Sequence, residues 1–146
     1  MIEVEVEDPA WEAALPAAEA HARAAAEVAT PPGAAVTVLL TDDETVRDLN
    51  ARFRGRDRPT NVLSFPAPAM AAPHLGDIAL AYGVCAAEAE AQGKSLADHL
   101  RHLVIHGALH LQGHDHESEA EAEAMEALER TLLAGMGVAD PYRESR

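Results

Sequence analysis

Between His106 and His116 the chain reads His-Gly-Ala-Leu-His-Leu-Gln-Gly-His-Asp-His, and the histidine spacing is that of a three-imidazole metal site. Residues four apart on an α-helix lie one turn apart and face the same way, so His106 and His110 can direct ring nitrogens at one ion. A third ligand has to return from outside the helix. Gly113 stands where a left-handed residue would end the helix and turn the chain, and His116, just past that turn, closes the triangle. Three neutral nitrogens around a divalent ion leave a coordination position for water, which is the arrangement of a catalytic rather than a structural zinc. A set made of His102, His106 and His110 fails on distance, because its outer members are separated by about 12 Å of helix rise.

The spacing H-x3-H-x2-G-x2-H follows the metzincin peptidase pattern at every position but one. The exception is Gly107, where the peptidases carry the glutamate that takes a proton from water. The ligand geometry is kept and the peptide-cleaving group is missing. A zinc peptidase or other zinc hydrolase is therefore a second enzymatic reading. A non-catalytic factor with structural zinc is the reading outside enzymes.

The elements that must position these residues follow from periodicity and breakers. Ile2, Val4 and Val6 alternate with glutamates, as in a strand with one wet face. Positions 11–29 read as a helix that is kinked at Pro16 or begins near it. Positions 35–40 form an apolar strand, and Thr41-Asp-Asp-Glu44 reads as a capping box opening a short helix through Val46, Leu49 and Asn50. Positions 52–61 are basic and broken by Gly55 and Pro59, which predicts a loop. Strands follow at 62–65 and 76–82, separated by an irregular proline-containing stretch. Three helices complete the chain: 84–92; one capped at Ser95 that carries the histidines; and one from Ser118 to Gly135, with Glu121 completing a capping box. On the histidine helix Leu100, Val104, Gly107, Ala108 and Leu111 form the buried stripe. The expected fold is α+β: a small mixed sheet of about four strands flanked by about five helices, in one domain over residues 1–146 with a three-histidine cleft.

A chain of 146 residues is long enough to bury one core. The lone Cys85 is expected to be a small buried apolar residue. No segment is apolar enough for a bilayer and the N-terminus lacks a signal peptide's pattern, so a soluble, cytoplasmic protein with no membrane partner is expected. The formal net charge of −14 argues against a general polyanion-binding surface, DNA included. Charge is nevertheless segregated. Arg47, Arg52, Arg54, Arg56 and Arg58 cluster in the predicted loop and its flank, and Glu117, Glu119, Glu121, Glu123, Glu126 and Glu129 crowd the segment after the histidine motif, where they read as a solvated helix face.

Three segments together resemble one family. Leu49-Asn50, Phe53-Arg54-Gly55 and the run Asp57-Arg58-Pro59-Thr60-Asn61-Val62-Leu63-Ser64-Phe65-Pro66 resemble its signature loop and strand. Leu75-Gly76-Asp77-Ile78 is similar to its next strand, and His106-Gly107 through His110 to Asp115-His116 is similar to its metal motif. The family is that of the YbeY single-strand-specific endoribonucleases, also called ribosomal RNA maturation factors. The resemblance spans about residues 36–143 and includes Asp140-Pro141-Tyr142. One position departs from it: His114 stands where tyrosine is common, which leaves a second candidate for the third ligand.

The resemblance implies one zinc ion on His106, His110 and His116, with Arg54 and His106 as the catalytic residues. It also implies a single-stranded RNA substrate, processing of ribosomal RNA ends, and a role in ribosome quality control, with the ribosome or ribosomal proteins as partners. A three-histidine zinc lowers the pKa of bound water toward ~7 and polarises phosphoryl oxygens. Arg54 offers a planar fork to the developing phosphate charge. Asp115 and Asp77 are candidates to orient a ligand histidine. Asn61 and Ser64 are polar groups of the loop and strand, structural or substrate-contacting.

Overall fold

The computed structural model describes residues 1–115 and 117–142. Its sheet has the order β1-β2-β4-β3, from β1 (Ile2–Val6), β2 (Ala35–Thr41), β3 (Val62–Pro66) and β4 (His74–Ala81). β1 and β4 both run parallel to β2, and β3 is antiparallel to β4. The helices are α1 (Ala10–Ala14), α2 (Ala18–Ala29), α3 (Asp43–Arg54), α4 (Tyr82–Ala91), α5 (Leu96–Leu111) and α6 (Glu119–Gly135). The α+β class and mixed four-stranded sheet are those expected from the sequence.

Alternation along the strands divides the core between two faces of the sheet. Val36, Val38, Leu40, Ile78 and Leu80 join α2 and α5 in the larger cluster, while Ala79, Ala81 and Leu63 meet Val46 of α3 on the other face. β2 and β4 are thus covered on both sides, as parallel strands require. β1 is one of the two edges, and its exposed Glu3 and Glu5 discourage further pairing. Complete burial of Leu100 and Ile105 on α5 contributes about 1.5–3 kcal/mol each, which pins the histidine helix against the sheet.

Several boundaries differ from the expectation, each for a local reason. The stretch 11–29 is two helices rather than one, with Ala17 at φ 65° between them; Pro16 has no N–H to continue α1. The cap of α3 is Asp42, whose Oδ1 accepts from the Thr45 amide at 2.6 Å. Thr41 is instead buried as the last residue of β2, and its carbonyl accepts from Trp11 Nε1 at 3.0 Å. α3 continues to Arg54 and ends at Gly55 in the left-handed region, so Arg52 and Arg54 lie on its last turn and not in a loop. Tyr82 belongs to α4 and not to β4. The caps at Ser95 and Ser118 form as expected, each hydroxyl accepting the amide three residues on at 3.1 Å.

Candidate functional site

α5 ends in a Schellman motif. Gly113 has φ 93°, its amide donates to the His110 carbonyl at 3.0 Å, and the His114 amide donates to the Leu109 carbonyl at 3.1 Å. The chain therefore turns back at the residue the sequence marks, one turn beyond His110. His114 and Asp115 then line a cavity of about 570 Å³ together with His106, His110 and Gly113. His116 lies outside the described residues.

The Nε2 atoms of His106 and His110 are 3.2 Å apart. At zinc–nitrogen distances of about 2.0–2.1 Å the edge of a tetrahedron is about 3.3–3.4 Å, so the two nitrogens are spaced close to adjacent ligands of one ion. The donor set fits a borderline metal such as zinc. Among the described residues the pair is not completed to three ligands. His114 shares the cavity.

Behind His106 stands a carboxylate that the sequence reading assigns to solvent. Glu129 of α6 is fully buried. Its Oε2 lies 3.3 Å from His106 Nδ1, while its Oε1 is 2.7 Å from His102 Nε2 and accepts from the Tyr142 hydroxyl at 2.6 Å. Burial is the largest influence on this carboxyl and pushes its pKa up, but the hydrogen bonds from His102, His106 and Tyr142 together outweigh it and hold the value at about 2. A buried charge without such partners would cost several kcal/mol. The solvated-face expectation holds for Glu117, Glu119, Glu121 and Glu123, which are exposed, and fails at Glu129. A signal for this was present: Met125, Glu129 and Leu133 are the buried residues of α6, four apart, so Glu129 occupies a core position of the helical stripe. Asp77 does not reach the histidine pair; it meets His74 at 3.2 Å.

Arg54 enters the same cavity from α3. Its Nη2 donates to the Ser64 carbonyl at 2.9 Å, and the Ser64 hydroxyl donates to the Gly107 carbonyl at 3.2 Å, which ties the arginine through β3 to the histidine helix. Gly107 is the contact point. A Cβ there would lie 2.8 Å from Ile78 Cγ2 and 3.1 Å from Ser64 Oγ, so no larger residue fits without displacing the buried Ile78 side chain. The position that carries the peptidase glutamate is therefore packed shut. Asn61 also lines the cavity, held by Glu88, which accepts from its Nδ2 at 3.0 Å. Of the arginine cluster, Arg47 and Arg52 are engaged by Asp57 and Asp48 at 2.8 and 3.5 Å. Arg56 and Arg58 line a second cavity that shares Arg54, Val62, Asp115 and Glu117 with the first. An anionic chain lying over the histidine pair could continue along this basic arm.

A family profile described as Endoribonuclease YbeY matches residues 3–137. The chain belongs to that family. It is 56% identical over 124 residues to the endoribonuclease YbeY of Chelativorans sp., covering 82% of this chain and 76% of that protein. With the endoribonuclease YbeY of Maricaulis maris it shares 52% identity over 145 residues, 97% of this chain and 91% of the relative. The solution structure of TM1509 from Thermotoga maritima superposes with a TM-score of 0.60 at 26% identity, covering 99% of this chain and 100% of that one. Family membership agrees with the resemblance carried by the loop, strand and histidine motifs. Arg54, His106 and His110 all line one cavity. Among the described residues no helix is long and apolar enough to cross a membrane.

Proposed function

We propose that this protein is a zinc-dependent endoribonuclease acting on single-stranded RNA, with His106, His110 and His116 holding one zinc ion in the cavity that Arg54 also lines. The observation that carries the reading is the approach of two imidazole nitrogens to 3.2 Å in a cavity that also contains Arg54. A zinc ion held there supplies Lewis acidity toward a phosphoryl oxygen and acidifies water. The protein's own part is to hold the scissile phosphate. The Arg54 guanidinium, fixed by the Ser64 carbonyl, presents its remaining N–H groups to the non-bridging oxygens on which charge develops. Arg56 and Arg58 hold the phosphates that follow along the second cavity. The cellular substrate on this reading is ribosomal RNA awaiting end maturation in the cytoplasm, with ribosome quality control as the wider setting. The peptidase alternative is disfavoured by the packing at Gly107, which leaves no room for a general-base glutamate.

Metal analysis tests the site. The purified protein is expected to hold one zinc per chain, lost in His106→Ala and in His110→Ala. His116→Ala should weaken binding sharply and His114→Ala little. Full zinc in the first two variants would contradict the reading, and the reverse order in the second pair would make His114 the ligand.

A further inference from the structure

Glu129 is buried and is assigned no part in the chemistry above, although its carboxylate lies 3.3 Å from a histidine of the pair. We propose that Glu129 is a positioning residue that sets the tautomer and orientation of His106, and that His102 and Tyr142 hold it in place for that task. The inference rests on the reading of His106 as a zinc ligand.

An ionised carboxylate only accepts hydrogen bonds. The contact between Oε2 and His106 Nδ1 at 3.3 Å therefore puts the proton on Nδ1 and leaves the lone pair of the neutral ring on Nε2, the atom that faces His110. Without this partner a neutral imidazole can place its proton on either nitrogen, and the Nε2–H form cannot bind a metal through that atom. The carboxylate is itself held from its other oxygen. His102 Nε2 and the Tyr142 hydroxyl both lie against Oε1, at 2.7 and 2.6 Å, so Oε2 is the oxygen left for His106. His102 is one turn before His106 on α5, and Tyr142 comes from the chain beyond α6, where the Pro141 carbonyl accepts from Lys94 Nζ at 3.4 Å. The ligand's orientation thus depends on α5, α6 and the C-terminal segment docking together.

Glu129→Gln separates this role from simple packing, because the two side chains have the same shape. In the variant the amide oxygen is drawn to the two donors at the Oε1 position, and the NH2 group is left facing His106 Nδ1. That nitrogen must then accept, which moves the ring proton to Nε2. Nitrogen-15 NMR of the zinc-free protein, at a pH where imidazole is neutral, should show His106 as the Nδ1–H tautomer in the wild type and as Nε2–H in Glu129→Gln. Zinc affinity by chelator competition should fall tenfold to a hundredfold in Glu129→Gln and less in Tyr142→Phe, which removes one of the donors holding the carboxylate. A wild-type His106 found as Nε2–H overturns the proposal, as does wild-type zinc affinity in folded Glu129→Gln, which would leave the carboxylate a purely structural group. Should Glu129→Gln not fold, the wild-type tautomer and the Tyr142→Phe affinity decide. A wild type that takes up no zinc while showing the Nδ1–H tautomer would contradict the ligand reading and leave the orienting contact standing.

Discussion

Arg54 stands on the last turn of α3 and donates to the Ser64 carbonyl, so its guanidinium is fixed at the cavity wall instead of pairing with a surface carboxylate. Arg54→Ala is expected to keep the zinc and the fold and to lower RNA cleavage by about ten- to a thousandfold, the range for removing one oriented donor from a developing anion. Arg54→Lys should rescue only part of this, because an ammonium lacks the planar fork. Single-turnover cleavage rates of variants with equal zinc content check both, and a wild-type rate in Arg54→Ala would remove the arginine from the mechanism. At this scale the sequence discloses the histidine pair better than its supports. His106, His110 and Gly113 are legible because one helical turn and one left-handed turn fix their relations. Glu129 is not, because a glutamate among glutamates looks solvated until its place in the Met125–Leu133 stripe is weighed against its charge.

α5 and the strands β3 and β4 form the mechanical unit of the site, and Gly107 is where they touch. A valine there would drive its side chain into Ile78 and Ser64, so Gly107→Val should cost about 3 kcal/mol, at the upper end for overpacking a core. Gly135→Val in α6 serves as the control, since a Cβ added there meets nothing within 4 Å. Urea denaturation of the two variants makes the comparison, and equal midpoints would mean the helix can lift from the sheet at no cost. The elements themselves were legible where one rule governs each end, as at Ser95 and Ser118. They were not where two candidates compete. Thr41 and Asp42 are both good caps, and the choice falls to Asp42 because β2 needs Thr41 as its last paired residue, opposite Ala81. The polar 52–61 stretch likewise hides the last turn of α3, where Arg52 and Arg54 are charged because they face solvent and the cleft and not because the backbone is irregular.

Taken as a whole the protein carries a formal charge of −14, yet its cleft opens onto arginines. Contacts from Arg54, Arg56 and Arg58 alone would give a log–log salt slope of about −2 for a single strand, so binding to free RNA should be weak and salt-sensitive. On the proposed reading, efficient action is expected to need RNA presented by a basic partner, for which the acidic face of α6 is the complementary surface. Reversing the charge of Glu119, Glu123 and Glu126 should weaken co-sedimentation with ribosomal particles while zinc content stays unchanged; unaltered co-sedimentation would leave that face merely solvated. The global fold was readable because its four strands and their flanking helices are set by alternation and breakers, whereas the order β1-β2-β4-β3 arises from long-range pairing that no local pattern encodes. The most direct test of the central claim is cleavage of an end-labelled RNA with one single-stranded segment between duplexes, by the purified protein alone, with a chelator, and with chelator followed by zinc. The account predicts internal cuts confined to the single-stranded segment, abolished by the chelator and restored by zinc; cutting that persists in the zinc-free protein, or no cutting by the zinc-loaded one, would contradict it.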